Sequence, residues 1–309
     1  MTHQRTPEFD RIARAFGWSG DPLRVGDDAA LLPGNRLFCC DALAEGVHFC
    51  WDWSSPEDVG WKAVAANVAD ILAMGGTPDA AVWSIGMGET WADEIFSGLA
   101  RGALEACTAY GCDLVGGDTV RCQGPGFVSL SLLGTLRSAN PWKRSGALPG
   151  DRLVLAGTLG RSAAGLSALQ AGLAAQWTDL VASHRRPAPP FADAADLFER
   201  DIHAAIDLSD GLSSDALHLA TASGTAAILE TSMLMPSADQ ISLASRLGLD
   251  PLDWLLHGGE DHSLLIAVPP EAVLPEGVRE VGRVEAGDGI WLEGPTGRDR
   301  LEPGGWRHA

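Results

Sequence analysis

A glycine pair followed by one carboxylate, Gly116-Gly117-Asp118, is the feature that most constrains how this chain folds. The apolar run before it, residues 113–115, predicts a buried strand, and the glycines predict that the strand ends where a ligand approaches the backbone. The combination of acids with glycine recurs at residues 26–28, 206–211 and 258–261. Four such segments predict one shared site that holds several cations and, through them, an anionic ligand.

Seven aspartates share an unusual setting, at the ends of elements or on a mostly apolar helix face. They are Asp27, Asp28, Asp41, Asp70, Asp118, Asp207 and Asp210. A carboxylate in such a place is costly unless a cation pairs with it, and basic residues are scarce nearby, chiefly Lys62, Arg121 and Arg144. Mg²⁺ is the simplest partner, because it prefers carboxylate and water oxygens and bridges to phosphates. Each aspartate alone is better explained by a helix cap or a turn, so the prediction depends on the group.

Charge and composition restrict the partners. The 309 residues carry 41 acidic and 22 basic side chains, a net charge of −19, which disfavours nucleic acid and anionic membranes as partners. No run approaches the roughly 18 apolar residues of a membrane span, and the N-terminus lacks the apolar core of a signal peptide. We therefore expect a cytoplasmic protein whose six cysteines, which form no CxxC pair, are free thiols.

Helical and strand patterns alternate in both halves, which predicts an α/β or α+β fold with mixed sheets. The length favours two domains, placed at residues 1–140 and 141–309. A short amphipathic helix is expected at 8–16, and a strand over 37–40 that ends on Asp41. The segment 174–190, which is polar and then proline-rich, is expected to cross the surface.

Two long helices have clear boundary signals. Ser55-Pro56-Glu57-Asp58 predicts a helix start with a capping serine, and Gly75-Gly76 predicts its end after Met74. Asn67 and Asp70 are three residues apart on this helix and therefore share a face. A second helix is expected over 91–110, capped by Thr90 and closed by Gly111, and residues 127–136 predict a long strand.

The common nucleotide and hydrolase motifs are missing from the sequence: the P-loop, a GxGxxG after a strand, the GxSxG elbow and HExxH. A bound nucleotide would therefore be held by metal-bound carboxylates and by glycine turns. Gly116-Gly117 and Gly258-Gly259 supply backbone N–H groups suited to phosphate oxygens.

The order of the motifs resembles one known family. The matching segments are residues 26–30, the strand ending on Asp41, residues 45–49 (Glu-Gly-Val-His-Phe), 62–76, 115–119, 144–151, 206–215 and 258–261. Together they are similar to the thiamine-monophosphate kinases, which belong to the superfamily named for aminoimidazole ribonucleotide synthetase. The resemblance covers nearly the whole chain, from Glu8 to about Trp306.

The resemblance implies a homodimer that uses ATP and Mg²⁺ to phosphorylate thiamine monophosphate to thiamine diphosphate. The N-terminal domain would contribute strands to a dimeric β-barrel, and a C-terminal α/β domain would complete the site. The implied metal ligands are Asp28, Cys40 through its backbone carbonyl, Asp41, Asp70, Asp118, Asp207 and Asp210. The implied nucleotide contacts are Gly117, Asp118, Arg144, Ser209 and Tyr110. The implied substrate contacts are His48, Glu260 and Trp306. We assign no general base, because the acceptor phosphate is already an anion at neutral pH.

Two other functions stay open on the sequence. One is another ATP-dependent synthetase of the same superfamily, acting on an amide, a carbamoyl group or a selenide. The other is a catalytically weak binding protein for thiamine phosphates, because Cys39-Cys40 stands where relatives carry Ser or Thr and a neutral thiol is a poor Mg²⁺ ligand. Structural roles are also open for four site residues: Arg144 pairing with Asp151, Tyr110 packing in the core, His48 packed or partly exposed in its loop, and Trp306 anchoring the tail by packing.

Overall fold

The computed structural model describes residues 26–305, so the helix predicted at 8–16 and Trp306 lie outside the described residues. Within this range the chain forms two mixed sheets and the helices that cover them, which confirms the predicted class. The helices are α1 (Pro56–Ala73), α2 (Asp93–Tyr110), α3 (Arg161–Gln170), α4 (Thr178–Arg185), α5 (Phe191–Ala195), α6 (Leu212–Ser223), α7 (Ala238–Leu247) and α8 (Pro251–His257). The strands are β1 (Ala30–Leu32), β2 (Arg36–Ala44), β3 (Gly76–Met87), β4 (Asp113–Arg121), β5 (Phe127–Leu136), β6 (Arg152–Ala156), β7 (Ala204–Leu208), β8 (Ala226–Glu230), β9 (Ser263–Val268), β10 (Val278–Glu285), β11 (Gly289–Gly294) and β12 (Gly297–Arg300).

The first sheet has the strand order β1-β2-β5-β3-β4, and all its pairs are antiparallel except β3 with β4. Alternate residues of β5, such as Val128, Leu130 and Leu132, are fully buried on one face, as the period of two in a strand requires. The core on this face includes residues of α1 and α2. The other face carries exposed apolar side chains, among them Phe38 and Val82.

The second sheet has the order β12-β11-β8-β10-β6-β9-β7, with β8 and β11 parallel and the other pairs antiparallel. Side chains of this sheet, including Ala205, Leu264 and Ile266, belong to the same core cluster as α1. Helix α1 therefore packs against both sheets, which explains why its side chains are buried around nearly the whole circumference. The first sheet ends at Leu136 and the second begins at Arg152, so the predicted domain boundary falls between them.

Helices α1 and α2 approach each other at glycines. A Cβ atom added at Gly60 would lie 2.0 Å from Leu99 O, and one added at Gly102 would lie 1.8 Å from Glu57 O. Only residues without a side chain permit this contact between the two backbones. The start of α1 is also as predicted, because Ser55 and Asp58 form a capping box.

Three sequence predictions about boundaries are wrong. Strand β4 does not end at the glycines but continues through Asp118 to Arg121, with an irregularity in its pairing with β3 at Val115. Gly117 is required by packing, because a Cβ there would lie 2.3 Å from the Trp83 side chain. Asp41 lies inside β2 rather than at its end. Helix α2 begins after Ala92, which makes no side-chain cap, so Thr90 is not its N-cap.

The segment 174–190 contains a helix, α4, that the sequence did not predict, because polar residues obscured its apolar face of Leu180 and Val181. The proline-rich part that follows docks on the first half of the chain, where Trp61 Nε1 donates to Pro187 O over 2.8 Å. All six cysteines are free, as expected. In the described part of the chain, no helix is long and apolar enough to cross a membrane.

We predict that Gly102→Ala destabilises the protein by about 1–3 kcal/mol, because the added methyl group collides with the α1 backbone, which cannot move aside as a side chain would. Chemical denaturation of the purified variant measures the change. Gly116→Ala is the matched control, since a Cβ there meets no atom within 4 Å. Equal stability of Gly102→Ala and the unmodified chain would contradict the close approach of α1 and α2.

Candidate active site

Three carboxylates from distant parts of the sequence meet at the junction of the two sheets. Oxygen atoms of Asp28, Asp70 and Asp207 all lie within 4.8 Å of one another. Asp28 precedes β1, Asp70 is in the last turn of α1, and Asp207 is in β7 of the second sheet. Because α1 packs against both sheets, its C-terminal end brings the acids of the two halves together.

Burial and mutual repulsion keep these groups from ionising freely. Burial raises the pKa of Asp28 to about 7; the Asp207 charge adds to the shift and Arg144 opposes it. Burial likewise raises the pKa of Asp70 well above its ordinary value, and the charges of Asp41, Asp207 and Asp28 raise it further. Burial and Asp207 raise the pKa of Asp41 to about 6. Asp28 and Asp70 therefore retain protons near neutral pH, which a bound cation would replace.

Arg144 supplies only part of the missing positive charge. Its Nε donates to Asp28 Oδ1 over 3.0 Å, and its backbone N–H donates to Asp27 Oδ1 over 2.9 Å. The second carboxylate oxygens of Asp27 and Asp28 are buried and have no hydrogen-bond partner. Pairing of Arg144 with Asp151 is excluded, because Asp151 accepts from Leu148 N and contacts His203.

The donor set fits a hard divalent cation. It consists of carboxylate oxygens, which are the ligands that Mg²⁺ prefers, and Asp28 Oδ2 is buried without a hydrogen-bond partner. Asp28, Asp70 and Asp207 would hold such an ion.

The two adjacent cysteines have different surroundings. Asp41 follows Cys40 on β2, and its backbone N–H donates to Asn67 Oδ1 over 3.2 Å. The Cys39 thiol is buried on the helix-covered face and contacts Asn67 O at 3.4 Å. The Cys40 thiol is exposed on the other face, 3.5 Å from Ser129 Oγ. Cys40 therefore has only its backbone carbonyl to offer as the predicted ligand.

A strained turn at residues 258–262 lies over the end of β7. Glu260 and His262 have φ angles of 62° and 50°, a conformation that residues other than glycine rarely adopt. Backbone bonds hold the turn, from Glu260 N to Ser209 O over 2.8 Å and from His262 N to Leu208 O over 2.9 Å. The predicted residues Ser209 and Glu260 are thus neighbours, and they lie beside Asp207.

The turn sends its side chains in different directions. Asp261 accepts from the backbone N–H groups of Gly160 and Ser162 at the start of α3. His262 Nδ1 lies 3.7 Å from Asp207 Oδ2 and is buried without a hydrogen bond. Glu260 contacts Lys62 of α1 over 3.1 Å.

Sequence reasoning missed three residues of this neighbourhood as site residues: Lys62, Asp215 and His262. Asp215 is buried on α6, where its Oδ2 accepts from Gly211 N over 3.0 Å. Burial raises the pKa of Asp215, and Asp210 and Asp207 add to the shift, so it belongs to the same acidic group. Each had a signal in the sequence that could have identified it: Lys62 is a lone lysine on an apolar helix, Asp215 is the last acid of the 206–215 segment, and His262 follows Gly-Gly-Glu-Asp.

Other predicted residues are not brought to the carboxylates within one chain. Asp118 is exposed on the edge strand β4, in a row with Ser84, Ser129 and Ala42 of β3, β5 and β2. Three strand spacings separate it from β2, or about 14 Å along the sheet. Gly117 lies beside it.

Tyr110 and His48 have local partners. Tyr110 packs in the core against Trp61 and Phe191, at ring distances of 5.9 and 6.3 Å. Trp61 precedes Asp70 by nine residues on α1, or about 13 Å along the axis, so Tyr110 is not in contact with the acids. His48 Nδ1 accepts from Ala44 N over 3.0 Å in the turn after β2.

Comparisons with known proteins agree with this architecture. Residues 26–136 match the family described as AIR synthase related protein, N-terminal domain, and residues 149–291 match the C-terminal domain. The chain is 39% identical to the thiamine-monophosphate kinase of Mycobacterium tuberculosis over 305 residues, which cover 96% of this chain and 88% of that protein. It is 35% identical to the thiamine-monophosphate kinase of Aquifex aeolicus over 292 residues, 92% of each protein. A solved structure described as AaThiL complexed with AMPPCP and TMP superposes with a TM-score of 0.87 at 32% identity, covering 98% of this chain and 96% of that one.

We predict that a divalent cation stabilises the protein more as the pH rises. Asp28 and Asp41 have pKa values of about 7 and about 6 in the folded chain, above the value of about 4 for an unfolded aspartate, so the folded state binds more protons in this window. The metal-free protein therefore loses stability as pH rises through it. Mg²⁺ that replaces the protons offsets the loss.

Thermal unfolding with and without MgCl₂ is the measurement, and the shift in midpoint should be larger at about pH 8 than at about pH 5.5. Asp239→Asn, an exposed change on α7, is the control and should keep this pH dependence. Equal shifts at both pH values would show that the buried acids do not bind the ion.

Proposed function

Because the chain belongs to the thiamine-monophosphate kinase family, we propose that it transfers the γ-phosphoryl group of ATP to thiamine monophosphate, giving thiamine diphosphate. The observation that carries this proposal is the meeting of Asp28, Asp70 and Asp207 at the junction of the two sheets. The family relationship, at 35–39% identity over most of the chain, names the reaction that such a cluster would serve. The AaThiL structure with AMPPCP and TMP supports ATP as the phosphoryl donor and thiamine monophosphate as the acceptor.

The charges of the substrates explain why the site is acidic. ATP and thiamine monophosphate are both anions, and they repel each other and the site itself. Mg²⁺ held by the acids of the site would supply the positive charge that offsets this repulsion. Asp28, Asp41, Asp70, Asp207 and Asp210 are the proposed ligands, together with Asp118 and the Cys40 carbonyl.

The protein would act by positioning the substrates. No side chain is needed as a general base, since the acceptor oxygen needs no deprotonation. Arg144 is already held by Asp27 and Asp28 and is placed to clamp nucleotide phosphates through charge-assisted hydrogen bonds. Gly117, Ser209 and Tyr110 are the other proposed nucleotide contacts. Tyr110 has the least support, because its ring is occupied by core packing.

His48, Glu260 and Trp306 are the proposed contacts to thiamine monophosphate. Glu260 has the clearest support, because its turn lies over the end of β7 beside Asp207 and Ser209. We place the reaction in the cytoplasm, where ATP and Mg²⁺ are abundant.

A homodimer is part of the proposal, and the position of Asp118 supports it. Asp118 lies on an edge strand three strand spacings from β2, the strand of Asp41, which is too far for these two acids to share an ion in one chain. The same sheet exposes apolar side chains on β2, β3 and β4, with Phe38 41%, Val82 44% and Val115 65% exposed. An exposed apolar sheet with a free edge needs a cover. A second copy that closes a barrel on this face would bury these side chains.

We predict that the protein converts thiamine monophosphate to thiamine diphosphate with Mg-ATP, and that Asp207→Asn lowers kcat by about a hundredfold or more, because even outer partners of a metal site cost 10–100-fold. Chromatographic detection of thiamine diphosphate is the measurement. Asp239→Asn, an exposed change on α7, is the control and should retain normal turnover. Tight binding of thiamine monophosphate without any product would instead favour the binding-protein function.

A separate prediction concerns the dimer. Val115→Asp should give a monomer in size-exclusion chromatography with light scattering, because a charge would be buried in the proposed interface. Met235→Asp is the control, since Met235 is 72% exposed and lies outside the first sheet. A dimer that survives Val115→Asp would rule out this face as the interface.

A further inference from the structure

Lys62 is the most deeply buried basic side chain near the acidic site. It lies on α1 among small and apolar residues, and only 2% of its side chain is exposed. Its Nζ is 3.1 Å from Glu260 Oε2, on the strained turn of the second half. One ion pair therefore links the helix that carries Asp70 to the turn that lies over Asp207.

A second pair of residues fixes the same carboxylate oxygen. His184 Nδ1 of α4 lies 3.4 Å from Glu260 Oε2 and 3.0 Å from Ser162 Oγ of α3. Burial and the Lys62 charge lower the pKa of His184 to about 4, so the imidazole is neutral near pH 7. Oε2 thus faces side chains from both halves of the chain.

The other oxygen of Glu260 is left for solvent or a ligand. The side chain is 27% exposed, and Oε1 makes no hydrogen bond to any residue of the described range. Burial would raise the pKa of Glu260, but the charge and hydrogen bond of Lys62 oppose it, and the pKa lies below its ordinary value. Glu260 is therefore an anion oriented through Oε2, and none of the described residues bonds its Oε1.

The negative charge of Glu260 determines which part of thiamine monophosphate its Oε1 would bind. Thiamine monophosphate carries a phosphate at one end, and a thiazolium cation and an aminopyrimidine with N–H donors at the other. The carboxylate already has a cation partner in Lys62, so it needs no metal ion. Its Oε1 still carries negative charge and accepts hydrogen bonds, so it would disfavour the phosphate and favour the cationic, N–H-bearing end. The strain at Glu260 is consistent with a side chain aimed for binding.

We propose that Lys62 is a positioning residue, which holds Oε2 of Glu260 across the junction so that Oε1 faces the nitrogen-rich cationic end of the acceptor. This inference depends on the proposed function. It gives Lys62 a role different from that of the metal ligands, because the Lys62–Glu260 pair would determine specificity for the acceptor.

Loss of a buried ion pair also lowers stability, so stability alone does not test the proposal. The test measures KM for thiamine monophosphate, KM for ATP, kcat, and calorimetric binding of thiamine monophosphate. In Lys62→Met, we expect the KM for the acceptor to rise by about tenfold or more, as for loss of a charged hydrogen bond, while the KM for ATP changes little. Glu260→Gln should shift the acceptor KM similarly, and the double variant should be no worse than either single one.

Two further variants distinguish a role of Lys62 in positioning Glu260 from a contribution to stability alone. Lys62→Arg keeps the charge and should recover part of the acceptor affinity lost in Lys62→Met. Arg186→Met removes another ion pair between the halves, in which Arg186 Nε lies 2.7 Å from Asp58 Oδ1, and should lower stability without changing the acceptor KM.

Normal acceptor KM in Lys62→Met or in Glu260→Gln would overturn the proposal, as would additive effects in the double variant. If Lys62→Met does not fold, Glu260→Gln still decides, because it leaves Lys62 in place. A wild-type protein that neither binds nor phosphorylates thiamine monophosphate would refute the proposed function and this inference with it. A wild-type protein that does both, with unchanged acceptor KM in the variants, would refute only the role of Lys62.

Discussion

Concentrated negative charge in a buried place is the constraint on which this structure depends. Asp28, Asp70 and Asp207 lie within 4.8 Å of one another, and among the described residues Arg144, bonded to Asp28, is the only arginine paired with them. In a medium of low polarity such a group either keeps its protons or binds cations. The raised pKa values of Asp28 and Asp41 show that ionisation of these buried carboxyl groups is unfavourable in the metal-free protein. The proposed binding of cations would remove this energetic cost.

Helix α1 makes this arrangement possible. It packs against both sheets, so its last turn reaches acids from each half, and its Lys62 reaches the turn over β7. The glycines at its contact with α2 allow the two backbones to touch, which leaves little freedom for α1 to shift. The charged groups at the junction are therefore held by a rigid element rather than by loops, which suits a site that must align two phosphates.

Sequence reasoning recovered much of the fold and part of the site. The capping box at Ser55, the stop at Met74 and strand β5 followed from local signals. The grouping of Asp28, Asp70 and Asp207 followed from their common setting. Sequence reasoning failed where one local pattern is compatible with two structures. The glycines of β4 mark an irregularity and close packing rather than the end of the strand, and the polar residues of α4 obscured its helical pattern. The pairing of Arg144 with Asp28 rather than Asp151 depended on distances that sequence separation does not encode.

The sequence by itself determined which residues carry charge, most of the segments that form helices and strands, and that several acids would share one site. These properties depend on residue type and on spacing over a few positions. Only the tertiary structure decided that Cys39 and Cys40 face opposite sides of a sheet, that Asp118 lies three strand spacings from the strand of Asp41, and that Lys62 pairs with Glu260. The physical reason is that such contacts depend on strand register and helix packing, which bring together residues far apart in the chain and which no local pattern specifies.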